Sequence, residues 1–123
     1  VIVEFRSEIK ALFDSQDVLP LHHFVPDDVA ELPCIVLGPP SLADGEPGTF
    51  DLTCEVYVCG RRIGDADSQH ELDQYADQII TILGGVKGRH NLAVTAATPQ
   101  LVPVAGSDIP TYRITVETTV RNC

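Results

Sequence analysis

The chain contains no methionine, and between Ala11 and Gly60 it carries no lysine or arginine. Proteins that grip a nucleic-acid backbone do so through Lys and Arg. A chain with 8 bases, 18 acids and a net charge of −10 is therefore unsuited to that task as its main business. No apolar run approaches the roughly 20 residues that a helix needs to span a bilayer, so a soluble protein is expected. Neither end has the pattern of a secretory signal. With no methionine, the initiator residue is expected to be removed or to lie outside this numbering.

Catalytic signatures are missing as well. There is no G-x-S-x-G elbow. The glycine-rich run Gly84-Gly85-Val86-Lys87-Gly88 follows a helical pattern instead of opening one, so it is no phosphate loop. There is no CxxC among Cys34, Cys54, Cys59 and Cys123. Cys54 and Cys59 are five apart on one strand and point to opposite faces, which prevents pairing or shared metal binding. Cys34 and Cys54 are candidate neighbours on adjacent strands, and all four are expected to be reduced. No cofactor, metal ligand or catalytic residue is expected.

What is present is an unbroken alternation. Phe50, Leu52, Cys54, Val56 and Val58 are apolar, and Asp51, Thr53, Glu55, Tyr57 and Cys59 form the opposite set. A period of two marks a strand with one face buried and the other facing water or a partner. Tyr112, Ile114, Val116, Thr118 and Val120 repeat the pattern, with Arg113, Thr115, Glu117, Thr119 and Arg121 opposite. Residues 92–104 are strand-like but contain Pro99 and Pro103, which restricts them to an edge or a bulged strand, paired to the last strand as an antiparallel hairpin across a Gly106-Ser107-Asp108 turn.

Two helices complete the pattern. Ile2, Phe5, Ile9, Leu12 and Phe13 fall on one side of a short amphipathic helix. Ser68 and Glu71 form a capping box ahead of a second, with Leu72, Tyr75, Ala76, Ile79, Ile80 and Leu83 inward and Gly84-Gly85 as the stop. Residues 14–33 are irregular. Pro33 to Gly38 reads as a short buried strand, and 41–48 as a flexible loop too long for a tight hairpin. The order is helix, strand, long loop, strand, helix, strand, strand. This is a single small α+β domain over 1–123: a mainly antiparallel sheet of about four strands packed by two helices, 2–13 and 68–83.

Other constellations read as solvated surface. His22-His23 with Asp27-Asp28 lacks the spacing that makes zinc ligands converge. Asp65, Asp67 and Glu71 are only a fragment of a calcium loop. His70, Asp73 and Asp77 share a polar helix face, where an acid–base pair is the rarer outcome. Charge is segregated: the acids Asp14, Asp17, Asp27, Asp28, Glu31, Asp44, Glu46, Asp51 and Glu55 precede Arg61, Arg62, Lys87, Arg89, Arg113 and Arg121. That arrangement suits either a self-repelling soluble surface or head-to-tail contact between copies.

The element order, the run Leu32 to Pro40, the strand Thr49 to Val58, the helix 68–83 and the hairpin 92–121 together resemble tail terminator proteins of long-tailed bacteriophages, most of all those of actinobacterial phages. Related head–tail joining and tail-completion proteins share much of this pattern. The resemblance implies a homo-hexameric ring that caps the tail tube protein, halts its polymerisation and docks the head–tail connector or stopper, with genomic DNA passing through the lumen unbound. It implies residence at the tail–head junction of the virion, and in the host cytoplasm during assembly, without membrane contact. The family brings no catalytic residues. The expected ring or tube contacts are Asp44 and Glu46 on the 41–48 loop and the open sheet face with Asp51, Glu55 and Tyr57. Arg61, Arg62, Arg113 and Arg121 are their basic counterparts. The rival readings are a small metal- or carboxylate-dependent enzyme using His22, His23 and His70, and an adaptor that binds a peptide along an edge strand.

Overall fold

A computed structural model describes residues 2–16, 19–22, 32–60, 66–84, 93–104 and 106–121. The elements are α1 (Ile2–Gln16), β1 (Leu21–His22), β2 (Cys34–Leu37), β3 (Ser41–Asp44), β4 (Thr49–Cys59), α2 (Ala66–Gly84), β5 (Ala93–Val104) and β6 (Ser107–Arg121). They build an α+β domain with a mixed sheet of six strands, in the order β1-β2-β4-β6-β5, with β3 also paired to β4. Among the described strands, β1 and β2 run parallel and the other pairs antiparallel. The sheet therefore has more than the four strands expected from periodicity, because two of its strands are too short to show any.

The sheet is organised by β4 and β6, which pair along their whole length from Thr49↔Arg121 to Cys59↔Thr111. On one face, Leu52, Cys54, Val56, Val58, Ile114 and Val116 meet Phe5, Ile9 and Phe13 of α1 and Leu72, Ile79 and Leu83 of α2. The contact stripe of α1 is narrower than expected. Phe5, Ile9 and Phe13, each four apart, are buried, while Ile2 in the first turn is 40% exposed. The helix also runs to Gln16, past the expected end at 13. Its last turn is supported by a Lys10–Asp14 ion pair of 2.9 Å and by Ser15 Oγ donating to the Leu12 carbonyl at 2.8 Å. The second helix starts at Ala66, so Ser68 lies inside its first turn and not ahead of it.

The stretch 41–48 is not a loop. β3 pairs with β4 from Ser41↔Thr53 to Asp44↔Phe50. The reversal between them is tight: Thr49 N–H donates to the Glu46 carbonyl at 2.9 Å, with Pro47 and Gly48 at the corner and Gly48 at φ 85°. Proline followed by a residue of positive φ is a type II turn. β2 and β3 lie along the same edge of β4, interrupted by Gly38-Pro39-Pro40. Leu37 pairs with Val56, but Ser41, four residues on, pairs with Thr53, three residues back. One extra residue on the proline side is the count of a bulge, placed where two residues without N–H groups cannot hold a ladder.

The other face is divided. Cys34, Val36, Cys59, Val104 and Ile109 form a second buried cluster, joined by Leu32, Tyr57 and Val102. Cys59 was expected on the open side of the sheet, yet it is fully buried because the distal part of the β5–β6 hairpin supplies apolar neighbours there. Cys34 faces Cys59 across the strands and not Cys54. Cys34, Cys54 and Cys59 are free thiols, and Cys123 lies outside the described residues. The expected 106–108 turn is also shorter, since β6 already begins at Ser107.

Candidate interaction surface

The alternation that buries one side of β4 and β6 lifts the polar set to the other side. In register across the sheet, Tyr57 lies beside Arg113, Glu55 beside Thr115, Thr53 beside Glu117 and Asp51 beside Thr119. Next to them on β5 come Thr98, Ala96 and Ala93, opposite Arg113, Thr115 and Glu117. The result is a row of short and charged side chains that grades into the second apolar cluster at its Cys59 end.

The middle of this face is internally bonded. Tyr57 Oη donates to Glu55 Oε2 at 2.6 Å, and Arg113 Nε sits 3.9 Å from Glu55 Oε1. The hydrogen bond to Glu55, helped by partial burial and the carboxylate charge, pushes the Tyr57 phenol up to about 12. Arg113, expected to face the acids of another copy, thus has a carboxylate partner in its own chain. At the far end, Thr119 Oγ1 donates to Asp51 Oδ1 at 3.4 Å. Asp51, Thr53, Ala93, Glu117 and Thr119 line an open depression of about 400 Å³. Glu46 is exposed on the β3–β4 turn at this end of the sheet, whereas Asp44, also exposed, ends β3 opposite Phe50 and so belongs to the helical side. Of the acids singled out from sequence, Asp51 and Glu55 share the outer face, while Asp44 is on the opposite one. Arg61 and Arg62 lie outside the described residues, and of Arg121 only the backbone, paired with Thr49, is described.

The β5 side of the face has a different character. From His90 to Ser107 the chain carries no Asp, Glu, Lys or Arg, and most of β5 is exposed, with Leu101 at 57%. Its outer edge bears a register shift between Val94 and Ala96 and prolines at 99 and 103. Bulges and prolines blunt an edge against strand addition, which makes β5 a poor seat for the extended peptide of an adaptor. Charge-free exposed surface is also what distinguishes the centre of an interface. That signal is readable from the sequence, in the absence of charge from His90 to Ser107.

Among the described residues, His22 and His70 assemble no metal site. His70 Nε2 lies 3.2 Å from Gln74 Nε2, whereas Asp73 Oδ1 accepts from Gln69 at 2.9 Å and from Tyr112 Oη at 3.0 Å. His23, Asp27, Asp28 and Asp65, and the Asp67 side chain, lie outside the described residues. Among the described residues no three His, Cys, Asp or Glu side chains converge as metal ligands, and no helix is long and apolar enough to cross a membrane. Neither family models nor curated proteins yield a match to this chain.

Proposed function

We propose that the protein is a structural component of the bacteriophage tail–head junction. Copies associate side by side into a ring, a hexamer by resemblance to tail terminators. The ring caps the tail tube, stops its polymerisation and presents its other side to the head–tail connector, while DNA passes through without specific binding. The observation that carries this reading is the division of the outer sheet face into an acidic end (Asp51, Glu117), with Glu46 on the adjoining turn, and a charge-free exposed strand, β5. Copies bearing a charge of −10 repel one another over most of their surface. Contact between them is cheapest where charge is absent, along β5, or where acids meet the arginines of a neighbour. Acidic residues left facing a lumen let DNA slide, since like charges disfavour adhesion.

Negative-stain imaging of the purified protein mixed with tail tubes tests the proposal. Rings seated at one end of each tube, with tube growth arrested, are expected. Tubes that elongate unhindered and stay uncapped contradict it.

A further inference from the structure

Cys34 and Cys59 stand directly opposite each other on β2 and β4. Ile35 sends its N–H to the Pro20 carbonyl at 2.8 Å, on the β1 side, while Gly38 sends its own to the Glu55 carbonyl at 2.9 Å. Even-numbered positions of β2 therefore turn their backbone groups toward β4, and Cys34↔Cys59 is a hydrogen-bonded antiparallel pair. Such pairs hold their Cα atoms about 5.5 Å apart, inside the range of about 4.4–6.8 Å that a disulfide bridges. Both side chains are fully buried, next to the buried Thr111. Thr111 is the register partner of Cys59 on β6, and its hydroxyl donates to the Ile109 carbonyl at 3.1 Å. The Cys34 contact is the main cause that lowers the Cys59 pKa, against the opposing effect of burial. Cys54, on the other face, provides the contrast. Its register partner is Val116, its Sγ–H donates to the Gly38 carbonyl at 3.4 Å, and burial pushes it up to about 11.

We propose that Cys34 and Cys59 are a reversible cross-strand dithiol, closed to a disulfide by a small-molecule disulfide such as oxidised glutathione. The Cys59 thiolate attacks one sulfur of the oxidant and expels one glutathione thiol. Cys34, giving up its proton, then attacks the Cys59 sulfur of that mixed disulfide and expels the second. Two protein thiols are oxidised and one glutathione disulfide is reduced to two thiols. The bond closes the segment from Cys34 to Cys59, which contains β3, the Pro47-Gly48 turn and the acids Asp44, Glu46 and Asp51, and fastens β2 to the centre of the sheet. Because both sulfurs are buried, reaction waits on local opening of the edge, where β1 is only two residues long. This inference is independent of the ring reading.

The test uses wild-type protein and a C54S/C123S variant, which leaves only the pair, each incubated with oxidised glutathione without denaturant. The expected result is loss of two hydrogens in the intact mass and a cross-linked peptide joining 34 and 59. The thermal midpoint rises by several degrees, and dithiothreitol reverses all three. The oxidation rate levels off as glutathione disulfide is raised, since opening limits it. Adding Cys34→Ala abolishes both the internal bond and the rise in midpoint. Retention of both free thiols in folded protein, under conditions that oxidise them in the unfolded chain, overturns the proposal. So does a stable glutathione adduct in place of the internal bond, or a midpoint that falls on closure.

Discussion

The two faces of the sheet share strands but not fates. On the helical face every inward residue of β4 from Leu52 to Val58 is buried, because α1 and α2 cover it from end to end. On the outer face of the same strand, Asp51 is exposed, Thr53, Glu55 and Tyr57 are half-buried, and Cys59 is fully buried. Alternation in one strand thus states which residues share a side, but the depth of each is set by what other segments bring. The helical face carries stability, and the outer face divides its length between a small core and a surface available for contacts.

Substitutions along the two faces sharpen this contrast. Phe13→Ala, in the main core, is expected to cost about 3–5 kcal/mol in urea denaturation, the usual toll for truncating a buried aromatic. Ile109→Val, in the second cluster, is expected to cost about 0.5–1.5 kcal/mol. A value near zero there shows that the cluster is not packed as a core. Tyr57 adds a pH dependence. Its phenol titrates at about 12 when folded against an ordinary 10, so below pH 10 both states keep the proton and nothing is lost. Between pH 10 and 12 the unfolded chain releases it first, and stability falls. The wild-type curve minus that of Tyr57→Phe should therefore drop across this window, and a flat difference removes the Tyr57–Glu55 bond from the account. Thr119→Ala, on the exposed end, is expected to stay within about 0.5 kcal/mol of wild type.

The parts of this fold that were legible in sequence are those whose partners are near or whose period is long. β4, β6 and α2 each carry enough repeats for their faces to be assigned, and Pro99 and Pro103 place β5 at an edge. β1 has no sequence signature because two residues have no period and their parallel partner lies beyond Pro33. β3 reads as a loop in sequence because Pro39-Pro40 and Gly45 to Gly48 surround four exposed residues. The Pro47-Gly48 corner is the local signal of a tight reversal. The second cluster joins residues near 34, 58 and 104–109, and no local pattern announces such a meeting. For the candidate surface, alternation was enough to gather Asp51, Glu55, Tyr57 and Arg113 on one side. It was not enough to reveal that Glu55 already meets Arg113, since that depends on cross-strand register, although its bond to Tyr57, two residues on along the same strand, was within reach.

The central functional claim is that copies of this acidic chain associate through the outer face and β5. Sedimentation velocity of the purified protein, alone and with tail tubes present, tests it most directly. The account predicts a closed species several times the protomer mass in at least one of the two conditions, and its loss when Ala96 and Thr98 on β5 are both changed to Glu. A protomer that sediments alone in both conditions, or an assembly indifferent to charge placed on β5, contradicts it.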